Sequence, residues 1–124
     1  MYTKFVAEPI MSIDEKLMGI ELLTRFTSVN RQAQHPEFVI SSWDLDQKRL
    51  FLYEQTGVIA SKQNWFERNN LFCTINIDQQ MAFLIRHDHL LRKIFESMPF
   101  VKLELSENFP GLGKVRISGE ILLG

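Results

Sequence analysis

The feature that most constrains the fold is a short apolar run, "LFCTINI" at residues 71–77, set between two longer mixed segments. Continuous apolarity over so few residues, rich in β-formers, reads as a buried strand. The segment before it, "SWDLDQKRLFLYEQTGVIASKQNWFERNN", reads as helical, with Asp44 as N-cap and Asn69–Asn70 as the stop. Gly57 inside it argues against one continuous helix. After the run, Asp78 caps "QQMAFLIRH" and Asp88 caps "HLLRKIFESM". Met81, Leu84 and Ile85 fall on one face of the first, and Leu91, Ile94 and Phe95 on one face of the second. "FVKLELS" is the next strand, "ENFPGLGK" a loop, and "ISGEILLG" could open a further helix.

Upstream, "KFVAEPIMSI" and "KLMGIELLTRF" are apolar-rich runs parted by "DEK", hence two antiparallel strands joined by a short turn. "SVNRQAQHPEF" is polar and reads as a loop, with Pro36 opening a short helix. The order is β-β-α-β-α-β-(α). Strands alternating with helices, and strands as apolar as "LFCTINI", suit a largely parallel sheet covered on both faces. The fold class is therefore α/β, a doubly wound sheet or a partial (β/α) barrel opening with an antiparallel hairpin. Four strands make roughly half of a (β/α)₈ barrel, which usually takes about 250 residues. With 124 residues and no repeat or linker, residues 1–124 read as a single unit.

Composition excludes several function classes. Fourteen basic against 15 acidic residues give no basic face for DNA. A single cysteine, Cys73, excludes an internal disulfide framework and a Cys-rich zinc site, and fits a reducing compartment. Its apolar surroundings suit an inert buried thiol. The amino terminus has no apolar core of a signal peptide, and no apolar run approaches the ~20 residues of a membrane span. A cytoplasmic location is expected.

Period-two alternation collects polar residues on one face of three strands. These are Glu21, Leu23 and Arg25, then Phe72, Thr74 and Asn76, then Lys102, Glu104 and Ser106. Glu21, Asn76 and Glu104 thus stand toward the carboxyl ends, where barrel sites lie. Two carboxylates and an amide carbonyl are hard donors, suited to Mg²⁺ or Mn²⁺. Arg25 offers a planar fork for a phosphate. An ordinary structural reading accounts for the same residues: Glu21 pairs with Arg25 or Lys102, and Asn76 caps the following helix.

The motifs in order resemble the EAL domain, the phosphodiesterase that linearises cyclic di-GMP. "EPIMSIDEKLMGIELLTRF" resembles its opening, with "GIELLTR" in place of its signature. "TINID" resembles its asparagine-bearing strand end, and "LELSENFP" its "LELTE" strand. The resemblance covers about residues 1 to 115. It implies metal ligation by Glu21, Asn76 and Glu104, substrate contacts from Arg25 and Glu8, and loop anchoring by Glu107. It also implies Mg²⁺ or Mn²⁺ as cofactor and metal-assisted hydrolysis of cyclic di-GMP to linear pGpG.

The departures are Glu8 at a glutamine position, Leu22 at the signature alanine and Asp78 at a serine position. The family's paired aspartates, lysine and later glutamate motif have no counterpart. The expectation is an amino-terminal fragment of a phosphodiesterase that is inactive alone. Open sheet edges would make it a homodimer. The alternative is a degenerate, non-catalytic EAL-like regulator acting by protein–protein binding. "ENFPGL" resembles a segment of such a regulator.

Overall fold

The computed structural model describes residues 2–109 and 113–115, with side chains over 3–106. In chain order the elements are β1 (Tyr2–Met11), β2 (Leu17–Thr27), β3 (Ala33–Gln34), α1 (Pro36–Ser41), α2 (Leu45–Ala60), α3 (Gln63–Arg68), β4 (Phe72–Ile77), α4 (Gln79–His87), α5 (His89–Glu96), β5 (Val101–Leu105), β6 (Glu107–Phe109) and β7 (Gly113–Val115). The helix expected from "ISGEILLG" lies outside the described residues.

The main sheet runs β1-β2-β4-β5. β1 pairs antiparallel with β2 along nearly its whole length, from Tyr2↔Thr27 to Met11↔Leu17. β4 and β5 then join in parallel, through Gly19↔Phe72 to Leu22↔Ile75 and Cys73↔Val101 to Ile77↔Leu105. Short β3 pairs with the end of β2 at Phe26 and Thr27. β6 and β7 form a separate antiparallel ribbon where the sequence suggests a plain loop. The result is a mixed α/β sheet with helices.

Two turns in the chain share one design. In "SIDEK" and "SVNRQ" the leading serine bonds the fifth residue through both its backbone N–H and its hydroxyl, and the fourth residue is left-handed. Ser12 N–H donates to the Lys16 carbonyl at 2.8 Å, and Ser28 N–H to the Gln32 carbonyl at 2.9 Å. The serine hydroxyls accept from Lys16 N–H at 3.1 Å and Gln32 N–H at 3.2 Å. Glu15 and Arg31 take φ of 60° and 62°, a conformation that costs a side chain about 1 kcal/mol.

The capping aspartates act as their positions predict. Asp44 and Gln47 form a reciprocal capping box on α2. Asp78 accepts from Met81 N–H at 2.8 Å, and Asp88 from Leu90 and Leu91 N–H at 3.1 Å each. Pro36 opens α1. The long helical segment does break, but at Ser61–Lys62 rather than at Gly57. Gly57 lies within α2 in open space, whereas the Ser61 hydroxyl turns back onto the Val58 carbonyl at 2.6 Å.

One parity of strand residues makes the core. Leu22, Phe26, Cys73, Ile75, Ile77, Leu103 and Leu105 pack against Phe51, Leu52, Met81, Ile85, Leu91 and Phe95 from the helices. Among the described residues, helices thus cover one face of the sheet, whereas the apolar strands suggest cover on both. Burial lifts the Cys73 thiol to about 12, well above the usual range, so it stays an inert thiol.

The β2–β4 contact is close at Gly19. A Cβ there would stand 2.5 Å from the Phe72 carbonyl oxygen, so only glycine fits. This approach fixes the register that places the carboxyl ends of β2 and β4 side by side.

Candidate functional site

A cleft of about 630 Å³ opens where β2, β4 and β5 end, between the sheet and the α1–α2 segment. That is where open α/β sheets hold ligands. Its apolar wall is made by Leu22, Ile40, Phe51, Ile77 and Met81, and its polar lining residues include Arg25, Gln55, Asn76, Asp78 and Ser106.

The strand residues singled out by alternation share the sheet face away from the core. The register sets Glu8, Glu21, Thr74 and Lys102 in one cross-strand row. Asn76 and Glu104 form the next row, two residues nearer the carboxyl ends. Of the predicted site residues with described side chains, Asn76 and Arg25 line the cleft. Arg25 is engaged sideways, donating from Nη2 to Glu8 Oε1 at 3.4 Å between half-exposed side chains. Lys102 lies over the Phe72 ring with Nζ 4.3 Å from its centroid. Asn76 does not cap α4; Asp78 does. The Glu107 side chain, and with it the expected loop-anchoring role, lies outside the described residues.

Alternation on the strands does not reveal the polar residues that α2 contributes. Lys48 and Gln55 lie on the helix's buried stripe with Phe51, Leu52 and Ile59. Lys48 is 4% exposed, and its Nζ reaches Asp78 Oδ2 at 2.9 Å and Gln80 Oε1 at 2.6 Å. A buried ammonium needs such partners. Asp78 therefore both caps α4 and ties it to α2. Gln55 is 2% exposed and presents Oε1 with no hydrogen-bond partner among the described residues. Asn76 Oδ1 and Ser106 Oγ are likewise unpartnered. Polar residues at core-periodic positions of a helix were the signal for Lys48 and Gln55.

A second polar cluster sits apart from the cleft. Asp88 accepts from the Tyr53 hydroxyl at 3.3 Å and pairs with Arg49 Nε at 3.1 Å. The Leu91 N–H chiefly, with help from Tyr53, Leu90 and Arg49, holds its carboxyl below the usual range. Burial, followed by the nearby Asp88 charge, raises the Tyr53 phenol. This cluster joins α2 to the α4–α5 corner.

Among the described residues no three or more His, Cys, Asp or Glu side chains gather where they could hold a metal ion. Glu21 and Glu104 stand on strands separated by β4, roughly 10 Å apart, and are staggered by two residues. The expected Mg²⁺ or Mn²⁺ centre is therefore not supported. No helix among the described residues is long and apolar enough to cross a membrane.

No family model matches the chain. It is 30% identical over 108 residues to YdiV of Escherichia coli (strain K12), which is named as an anti-FlhC(2)FlhD(4) factor. That alignment takes 86% of this chain and 45% of the relative, so the chain spans about half the length of the curated relative it matches. The crystal structure of the EAL-like domain protein YdiV superposes with a TM-score of 0.77 at 27% identity, over 89% of this chain and 47% of that one. The EAL enzyme Bd1971, in its cAMP-bound form, gives 0.61 at 17% identity over 83% and 33%, a likeness of fold alone. These findings overturn the reading of the chain as a fragment of a cyclic di-GMP phosphodiesterase. The curated relative is named for countering FlhC(2)FlhD(4) rather than for hydrolysis, and no group of three or more His, Cys, Asp or Glu that could hold a metal is found among the described residues. What the comparisons establish is a mixed α/β sheet of EAL-like fold, whose similar proteins include a regulator named for a protein complex.

Proposed function

We propose that this protein is a non-catalytic, EAL-like regulator that acts by binding a protein complex of the FlhC(2)FlhD(4) kind. The observation that carries this reading is its 30% identity to the anti-FlhC(2)FlhD(4) factor over 86% of the chain. The structural likeness to the EAL-like YdiV domain supports it. In this reading the whole chain is one unit, corresponding to the amino-terminal portion of an EAL-like domain, and its sheet is part of a (β/α) barrel. Two parallel joins and a helix-covered face support that geometry. The lone buried thiol Cys73 fits action in the cytoplasm.

Glu8, Glu21, Arg25, Asn76 and Glu104 then serve as a polar binding face rather than a hydrolytic centre. Mixed charges there give orientation and specificity to a protein partner. Leu22, at the signature alanine position, is spent on the core.

Co-elution with purified FlhC(2)FlhD(4) tests the proposal, together with chromatography of cyclic di-GMP incubated with the protein and Mn²⁺. The expected result is a shared peak and unchanged cyclic di-GMP. Separate elution, or linear product that Glu21→Ala abolishes, would refute it.

A further inference from the structure

We propose that the cleft at the strand ends is the receptor for an apolar, N–H-bearing side chain of a protein partner, anchored on Gln55. This rests on the protein-binding reading above and names the site at which it operates. Gln55 comes from the middle of α2, is almost fully buried, lines the cleft, and carries a buried Oε1 with no hydrogen-bond partner among the described residues. A buried acceptor without a donor carries a desolvation cost that a donor arriving with a ligand removes. Asn76 Oδ1 and Ser106 Oγ, also unpartnered, line the same cavity. Leu22, Phe51, Ile77 and Met81 supply apolar walls. The complement is an apolar body carrying a hydrogen-bond donor, as in a tryptophan indole. Such amphipathic aromatics are favoured as interface anchors.

A protein, rather than a free small molecule, is indicated by what lies outside the cavity. α1 lends Pro36, Glu37, Ile40 and Ser41 to the wall, and on the same short helix Phe38 is 77% exposed. His35, at the start of that wall, meets the Phe38 ring edge-on at 5.7 Å. A small molecule in the cleft would leave Phe38 in water, while a docked protein surface covers both. Charge on the rim is mixed, with Arg25 alongside Glu37 and Asp78. A neutral anchor fits better than an ion.

The probes are indole and 1-methylindole, which differ in the N–H. They are titrated by ligand-observed NMR into the full chain, into Gln55→Leu, and into Ser41→Trp, which fills the cleft mouth from an exposed position. The same proteins are titrated with FlhC(2)FlhD(4). The proposal expects indole to bind about tenfold tighter than 1-methylindole, Gln55→Leu to erase that preference, and Ser41→Trp to exclude both. It also expects both variants to lose tenfold or more in affinity for the complex. Equal binding of the two indoles overturns the anchor. An indole preference with unchanged complex affinity in both variants assigns the cleft to a free small molecule and overturns the docking. An indole preference in a wild-type protein that ignores FlhC(2)FlhD(4) sustains the anchor and refutes the choice of complex.

Discussion

The two faces of the one sheet have opposite characters. On the helix side, Ile75 is fully buried, and Cys73, Ile77 and Leu103 lie beside it in a closed apolar layer. On the other side the same strands present Glu8, Glu21, Asn76, Lys102 and Glu104, with Glu8 and Arg25 about half exposed. Residues one position apart along β4 therefore serve different ends: Ile75 holds the fold, and Asn76 faces the cleft. Stability should reside in the closed apolar layer, and recognition on the polar face and in the strand-end cleft that borders it. Mutations can test that division.

The largest expected effect is on the helix side. Ile75→Ala should lower unfolding free energy by about 3 kcal/mol in denaturant titration, through lost burial and a residual cavity. Glu104→Ala and Glu8→Ala, on the other face, should each change it by less than about 1 kcal/mol. A loss at Glu104 equal to that at Ile75 would break the division. Next is Gly19→Ala, expected to cost about 1–3 kcal/mol, because the new methyl meets the Phe72 backbone and β2 must shift against β4.

A middling effect is expected at the corner cluster. Asp88→Ala removes the α5 cap and the Tyr53 and Arg49 contacts and should cost about 1–2 kcal/mol. The Asp88 carboxyl is lowered in the folded state. The unfolded chain therefore takes up its proton first, and the stabilisation is complete above the ordinary aspartate value, about 3.9. It is lost as pH falls through the lowered native value. Acid titration should show wild type losing stability below about pH 4 more steeply than Asp88→Asn. Parallel curves would contradict a lowered Asp88 carboxyl in the folded state. The smallest effect is chemical. Native Cys73, fully buried and raised to about 12, should resist thiol reagents at pH 8 until denaturant is added.

Most of the fold was legible because its signals are local. Asp44, Asp78 and Asp88 each precede an apolar-periodic run, and "LFCTINI" is too short and too β-rich to be a helix. β3 and the β6–β7 ribbon were not legible, since two- and three-residue strands carry no periodic pattern. Alternation correctly put Glu21, Asn76 and Glu104 on one face. It could not give the stagger between strands, which register alone sets. That stagger spaces Glu21 from Glu104, and no third His, Cys, Asp or Glu joins them among the described residues. Gln55 stayed hidden because its role depends on α2 lying across the strand ends, a tertiary fact.

The most direct test of the division is hydrogen–deuterium exchange on this protein with and without FlhC(2)FlhD(4). Slower exchange is expected in α1, Pro36–Ser41, and at the carboxyl ends of β2 and β4 when the complex is present, with α4 and α5 unchanged. Protection confined to α4 and α5, with the strand ends exchanging as before, would contradict it.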